Sequence, residues 1–149
     1  MATIVCTFHA GTISKEGVRG LDRAIRRVYR EELGQSARVL WCELPAGQAF
    51  TAGRASDVTY LLVEAEEGVD AARRERALHA LGAAVASGAQ IPIERVMLTV
   101  ADKSVFARFL GAYRERIRRR SRLWFWTTTA IGLARSRRRD GYLAIRANL

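Results

Sequence analysis

The sequence predicts an α+β fold in which two tandem β-α-β units form a four-stranded mixed sheet with two helices on one face, followed by a C-terminal helix and extension. The first observation is an internal repeat: at an offset of 57 residues, Leu21 aligns with Leu78, and Arg38-Val39-Leu40 aligns with Arg95-Val96-Met97. The second is that the apolar residues of each copy follow a strand, helix, strand pattern. The third is length, because 149 residues, 49% of them hydrophobic, suit one domain with a sizeable core.

The first copy is predicted to start with a strand at residues 3–9 and to end with a strand at residues 38–44. Between them lies a helix for which Ser14 suits the N-cap and Gly34 suits the residue that ends it. A turn at Pro45-Ala46-Gly47 closes the copy. The predicted buried residues are Ile4, Cys6 and Phe8 in the first strand, and Val18, Leu21, Ile25, Val28, Tyr29 and Leu33 in the helix.

The second copy repeats this order, with strands predicted at residues 58–65 and 95–101. Asp70 can cap its helix, and Gly88 is the expected end. A third helix is expected to start at Asp102 or Ser104. The predicted buried residues are Ala77, Leu78, Leu81 and Val85 in the second helix, and Phe106, Phe109, Leu110, Tyr113 and Ile117 along one side of the third. Because both β-α-β helices cover one face, the other face of the sheet needs a cover, and oligomerisation is the simplest one.

Charge divides the chain into two parts, predicted as a domain at residues 1–110 and a basic C-terminal extension at residues 111–149. The first part has 14 basic and 13 acidic residues, whereas the extension has 11 arginines against Glu115 and Asp140. An apolar stretch at residues 123–133 lies between the arginine runs. Such a segment could contact phosphates or an anionic membrane surface, or it could pack on a neighbouring subunit and leave its arginines in water.

Several classes of protein are disfavoured by what the sequence lacks. The mean hydropathy is −0.07, and no apolar stretch approaches the ~20 residues of a membrane span. The start shows no secretory signal, so a cytoplasmic location is expected, with Cys6 and Cys42 as buried thiols. His9 and His79 lack the spacing of metal ligands, and no glycine-rich nucleotide motif or nucleophile elbow is present. The expectation is action without a metal or cofactor.

The tandem units, together with the turn followed by Phe50 and Gly53 and with Ile91-Pro92 after the second helix, resemble the tautomerase superfamily. The closest likeness is to its cis-3-chloroacrylic acid dehalogenase-like branch, over roughly residues 2 to 110. The resemblance implies a homotrimer and an amino-terminal proline that acts as an acid or base. This chain has Ala2 at that position, and Tyr29 holds the place of the helical histidine.

A primary amine remains available if Met1 is removed, because an α-amine has an ordinary pKa of about 7.7 to 8.0. Ala2, Tyr29 and Glu43 are the candidate catalytic residues, and Arg38, Trp41 and Arg54 are the candidate substrate-binding residues. Trp41 and Glu43 share one face of the second strand, and arginine binds carboxylates in a bidentate manner. Alternatives stay open, since Tyr29 suits a core or interface position and the arginines suit surface ion pairs.

Three functions follow from these observations. The first is a cofactor-independent enzyme of specialised metabolism that transfers a proton on a small carbonyl, enol or unsaturated acid. The second is a non-catalytic scaffold or partner subunit. The third is nucleic-acid binding through the basic extension. One observation argues against it: the predicted third strand lacks the run of basic, glycine and aromatic residues that is typical of an RNA-recognition module. Nonspecific contact of the extension with polyanions is expected at low salt.

Overall fold

The computed structural model describes residues 1–45, 47–51, 53–116 and 119–146. Ala46 of the predicted turn and Ile117 of the predicted third helix lie outside these residues. The elements are β1 (Ala2–His9), α1 (Lys15–Leu33), β2 (Ala37–Leu44), β3 (Phe50–Thr51), β4 (Arg54–Ala55), β5 (Thr59–Ala65), α2 (Ala71–Ala89), a short 3-10 helix (Ile93–Arg95), β6 (Val96–Asp102), α3 (Lys103–Arg116), α4 (Arg119–Asp140) and β7 (Leu143–Arg146).

The main sheet is mixed, with the strand order β6-β5-β1-β2-β7. Strand β1 is parallel to β2 and β5 is parallel to β6, as the helical crossover within each β-α-β unit requires, and the two units meet where β1 pairs antiparallel with β5. The predicted α+β class and its four strands are therefore confirmed. A fifth strand, β7, comes from the C-terminal extension and lies parallel to β2, and β3 and β4 form a separate hairpin. Neither feature was predicted from the sequence.

The helix ends confirm most of the predicted caps. The Ser14 side chain accepts a hydrogen bond from the backbone N–H of Gly17, and Gly34 ends α1 at a φ of 72°. The Asp70 carboxylate caps α2. The predicted end of α2 at Gly88 is wrong by a short distance, because the helix continues to Ala89 and ends at Gln90 in a left-handed conformation.

Helices α1 and α2 pack together on one face of the sheet and enclose the core. Trp41 is fully buried there, and its ring contacts Phe8 and Tyr142 edge to face. Cys6 is a buried free thiol on this face, and Cys42 is a free thiol on the other. The α1 and α2 side chains that fill the core are Val18, Leu21, Ile25, Tyr29, Leu33, Ala77, Leu81 and Val85.

The opposite face of the sheet, here called the outer face, carries the alternate residues of the strands. Leu62 is buried at its centre, Val5 and Leu40 are half-buried, and Met97 on the edge strand is exposed. No helix of the two β-α-β units covers this apolar surface, so the expectation that assembly covers it stays a prediction.

The C-terminal extension returns to the sheet through α4 and β7. Tyr142, between them, is buried against Trp41 at a ring distance of 6.4 Å. The buried carboxylate of Asp140 pairs with Lys15 of α1 at 3.0 Å. In α3, Phe106 is buried, but Phe109 and Leu110 are exposed, so the predicted apolar side of this helix is only partly covered. Across the described ranges, no helix is long and apolar enough to cross a bilayer.

Candidate functional site

The amino end of β1 is where the strand order brings several polar groups together. Ala2 pairs with Ala37 at the start of β2, and the backbone N–H of Ala2 donates to the carbonyl of Ser36 at 3.0 Å. Because β5 is antiparallel to β1, the carboxyl end of β5, with Glu64, lies beside the same end. We call Ala2, Thr3, Arg38 and Glu64 the N-terminal site.

Two hydrogen bonds connect the polar residues of the N-terminal site through Thr3. The backbone N–H of Thr3 donates to Glu64 Oε2 at 2.9 Å. Arg38 Nε donates to Thr3 Oγ1 at 3.1 Å. A carboxylate and a guanidinium are thus both held against the residue that follows Ala2. Arg38 is exposed and Glu64 is half-buried, so both can meet a ligand at the outer face.

Tyr29 reaches the same end of the sheet from within the core. Its side chain is fully buried, and its hydroxyl donates to the backbone carbonyl of Glu64 at 2.8 Å. Burial, followed by the negative charges of Glu64 and Glu66, raises the pKa of Tyr29 to about 12. This geometry makes Tyr29 a fixed donor that ties α1 to the end of β5.

A second group of charges lies next to the N-terminal site, at the start of α2. The Arg74 guanidinium pairs with the Asp102 carboxylate, and Arg74 Nε donates to the Val69 carbonyl at 2.8 Å. Arg73 Nε donates to the carbonyl of Glu32 near the end of α1, at 2.6 Å. Both guanidinium groups are therefore used to join elements, whereas Arg38 is the arginine that stands on the open outer face.

The other three candidate residues lie elsewhere. Trp41 is in the core, where its Nε1 donates to the buried Asp22 carboxylate at 3.1 Å. Burial raises the pKa of Asp22. Glu43 pairs with Phe8 at the far end of β1, about 20 Å along the strand from the Ala2 end. Within one chain, the candidate residues Ala2, Trp41 and Glu43 therefore do not form one pocket.

Arg54 lies on the exposed hairpin of β3 and β4, which connects the carboxyl end of β2 to the start of β5. That is the end of the sheet that holds Glu43. The structure thus brings together Ala2, Arg38 and Tyr29, and it separates them from Glu43 and Arg54. The parallel register of β1 and β2 causes this separation, because residues early in the two strands lie at one end of the sheet and residues late in them lie at the other.

Glu64 was not among the predicted site residues, although one signal could have found it. It comes near the end of a strongly apolar strand, and the third strand of a tandem β-α-β pair can lie antiparallel to the first. Its charged side chain then falls on the outer face beside the amino end of β1. Among the residues that the structure describes, no group of three potential metal ligands was found.

Two clefts lie away from the N-terminal site. One, of about 500 Å³, is apolar and lies between α2 and β6, where Leu78, Gly82 and Leu98 line it. The other, of about 510 Å³, lies between α4 and β7, where Phe125, Leu133 and Ile145 line it. No candidate residue lines either cleft.

Solved structures share this fold, and these structural neighbours are members of the tautomerase superfamily. Native Ps01740 has a TM-score of 0.64 and 25% identity, over 67% of this chain and 92% of that one. N1, a member of the cis-3-chloroacrylic acid dehalogenase family, has a TM-score of 0.64 and 21% identity, over 67% and 73%. A fused 4-OT, a wild-type symmetric trimer, has a TM-score of 0.64 and 17% identity, over 67% and 84%. No family model matches the sequence, and neither does any curated protein sequence.

Proposed function

We propose that this chain is a cofactor-independent enzyme of the tautomerase type, which moves a proton on a small carbonyl, enol or unsaturated acid. One observation carries the proposal: Arg38 and Glu64 are both hydrogen-bonded to Thr3, the residue directly after Ala2, which would present the amine. The fold shared with tautomerase-superfamily structures supports the same class of reaction.

The chemistry assigned to the N-terminal site needs only groups of this chain. After Met1 is removed, the neutral Ala2 amine takes a proton from the carbon next to the substrate carbonyl, and an enolate forms. The ammonium then returns the proton to the enolate oxygen or to a conjugated carbon. Arg38 pairs with the substrate carboxylate and orients it, because a guanidinium matches a carboxylate in shape and charge. Glu64 holds the Thr3 N–H and so positions the strand end.

Tyr29 enters the proposal as a positioning residue that acts through Glu64. Its hydroxyl is fixed on the Glu64 carbonyl, 2.8 Å away, and its side chain is fully buried. We assign Glu43, Trp41 and Arg54 no role in this site within one chain: Trp41 lies in the core, Glu43 at the far end of β2, and Arg54 on the hairpin of β3 and β4.

We further propose that the chain works as a homotrimer. The uncovered outer face, with Val5, Leu40, Leu62 and Met97, supplies the apolar surface that subunits would bury. Light scattering on the purified protein measures this directly: a particle of three chain masses is expected, and a monomer would contradict the assembly.

The first test is intact mass spectrometry of the purified protein, before and after incubation with pyruvate and a mild hydride reductant. Loss of Met1 and a reduced adduct that peptide mapping locates on Ala2 are expected, since a primary amine forms an imine with a ketone. A chain that keeps Met1, or an Ala2 amine that does not react, would overturn the amine mechanism.

The second test measures deuterium exchange into the methyl group of pyruvate by NMR. Arg38→Gln is expected to raise KM about tenfold or more, because the charged partner of the carboxylate is lost. Glu64→Gln is expected to lower kcat. Arg54→Gln and Glu43→Gln are the matched controls at the far end of the sheet, and both should exchange as the unmodified chain does. Equal effects at the two ends would contradict the placement of the site.

A non-catalytic scaffold is the second candidate, and one observation favours it. Ala2 is only 3% exposed, and its N–H already donates to Ser36. This candidate predicts a trimer with an unreactive amine. It also predicts that neither the unmodified chain nor any of the four variants exchanges deuterium into pyruvate.

A further inference from the structure

Helix α4 contains a segment without charge, residues 123–134, most of whose side chains are exposed. The large apolar side chains of this segment are exposed to an unusual degree: Leu123 by 79%, Trp124 by 70%, and Trp126 and Ile131 by about half. Exposed aromatic and aliphatic groups contiguous along a helix mark an interaction site in a water-soluble protein.

The two sides of α4 differ, and the difference follows helical spacing. The inward side carries Thr129, Leu133, Ser136 and Asp140, which are buried or half-buried, and Ser136 Oγ accepts from the Ala144 N–H of β7 at 2.9 Å. The opposite side, here called the outer side of α4, is exposed along its whole length. It consists of Leu123, Trp124, Thr127, Ala130, Ile131 and Ala134.

Two threonine hydroxyls within the segment are already hydrogen-bonded to the helix itself. Thr127 Oγ1 donates to the Leu123 carbonyl at 2.9 Å, and Thr128 Oγ1 donates to the Trp124 carbonyl at 2.8 Å. A polar group satisfied in this way costs little when water is removed from around it. These two threonines can therefore leave water for an apolar environment and keep their hydrogen bonds.

Charge identifies the partner of the outer side. Arg135, Arg137 and Arg138 are exposed just after the segment, and the sequence has arginines at positions 119, 120 and 122 just before it. A second copy would bring the same cations against each other, whereas an anionic surface would neutralise them. A nucleic acid would satisfy the arginines and could stack on tryptophan, but it offers nothing to the aliphatic Leu123 and Ile131.

We propose that the outer side of α4 binds an anionic lipid surface, with the helix lying along the surface. Twelve residues of helix are about 18 Å long, which is short of the ~30 Å hydrocarbon core, so the segment does not cross. Trp124, Leu123 and Ile131 enter the boundary between headgroups and acyl chains, and the exposed arginines that follow the segment, Arg135, Arg137 and Arg138, meet lipid phosphates.

The test uses the full chain with vesicles of phosphatidylcholine, with and without 30% phosphatidylglycerol, in a sedimentation assay. The protein is expected to sediment with the anionic vesicles only, and to do so less as salt rises. Tryptophan emission should shift to the blue on binding. Because Trp41 is already fully buried, the shift reports on Trp124 and Trp126.

Matched variants distinguish binding through the outer side of α4 from nonspecific adsorption of the protein to vesicles. Trp124→Ser with Ile131→Ser should lose most of the binding, whereas Phe50→Ser with Val105→Ser, two other exposed apolar positions, should keep it. Arg135→Gln with Arg138→Gln should weaken binding more than Arg23→Gln with Arg108→Gln. Circular dichroism checks that each variant is folded.

Three outcomes would overturn the proposal. The first is a vesicle result other than the expected one: no sedimentation with anionic vesicles, equal binding to neutral and anionic vesicles, or binding that the serine pair leaves unchanged. The second is binding to heparin or RNA with the same strength and with no emission shift, which would mean polyanion attraction alone. The third is a serine pair that changes the mass measured by light scattering, which would mean that a second copy covers the helix.

Discussion

The Tyr29 hydroxyl donates a 2.8 Å hydrogen bond to the backbone carbonyl of Glu64, and so joins helix α1 to the end of β5 that carries the Glu64 carboxylate. Tyr29→Phe removes the donor and keeps the ring. We expect the free energy of unfolding to fall by about 1 kcal/mol, as for a typical buried hydrogen bond. Exchange activity should fall by less than about tenfold, because Tyr29 positions the site without touching substrate. Urea unfolding and the pyruvate assay measure both, and a complete loss of activity in a folded variant would make Tyr29 catalytic.

The Tyr29 phenol also makes the free energy of unfolding depend on pH in the alkaline range. Its folded pKa of about 12 lies above the ordinary value of 10.0, so the neutral form is favoured on folding. The contribution is fully present below pH 10 and is lost as the pH rises from 10 to about 12. Tyr29→Phe has no such group. The difference in unfolding free energy between the two proteins should therefore shrink across this window, and a constant difference would contradict the assignment.

Gly88 lets α2 approach α1 closely, because a Cβ there would stand 2.1 Å from Leu21 Cδ1. Gly88→Ala is expected to destabilise the chain by about 1 to 3 kcal/mol through overpacking. Gly20→Ala is the matched control, since its Cβ would meet nothing within 4 Å. In a helix interior that change should stabilise by about 0.5 to 1 kcal/mol. Thermal unfolding of both variants tests the prediction, which requires effects of opposite sign.

The buried pair of Trp41 and Asp22 predicts a contrast between two substitutions. Asp22→Ala leaves the Trp41 N–H without its acceptor, and it should cost about 1 to 3 kcal/mol. Asp22→Asn keeps an oxygen for Trp41 and removes the buried charge, so its stability at pH 7 should stay within about 1 kcal/mol of the parent.

Burial raises the pKa of Asp22, so its stabilising contribution is present below the ordinary carboxyl range and is lost as pH rises. Asp22→Asn should therefore gain on the parent between acidic and neutral pH. Urea unfolding at both pH values measures the gain, and its absence would contradict the buried state of this carboxyl.

Asp140 fastens the extension to α1. Arg139 and Lys15 hold its carboxylate, and the hydrogen bond from Arg139 is the largest cause of a pKa lowered to about 2. The contribution is present above the ordinary pKa of 3.8 and is lost as the pH falls toward 2. We expect Asp140→Asn to show less loss of stability over that range than the parent. Glu31→Gln, at another exposed position on α1, is the control. Protease release of residues 119–146 at each pH shows whether the extension detaches.

Much of the fold could be predicted because local signals and the global pattern agree. Ser14, Gly34 and Asp70 fixed the helix ends through their capping chemistry, and alternation fixed which strand residues face the core. Strand β7 could not be predicted in the same way. Its four residues carry little pattern of their own, and its pairing with β2 depends on Tyr142 packing against Trp41, which is a contact between distant segments.

The candidate site was predicted in part. Ala2 and Arg38 do lie together, since parallel strands that start together keep their first residues adjacent. Glu43 and Trp41 were grouped with them because they share one face of the second strand, but Trp41 is buried in the core and Glu43 lies six residues after Ala37, at the far end of β2. Glu64 depends on the antiparallel placement of β5, which the spacing of residues along the chain does not reveal.

Strand β7 has a consequence for how sheets of different molecules can meet. By pairing with β2, it occupies the backbone groups of a strand that would otherwise form an open edge. β7 itself is four residues long, and the backbone N–H of Ala144 already donates a hydrogen bond to Ser136 Oγ. A short edge with a satisfied donor is a poor template for another strand. The C-terminal extension therefore protects one edge of the sheet from pairing with a strand of another molecule. Strand β6 is the edge where such intermolecular pairing could begin.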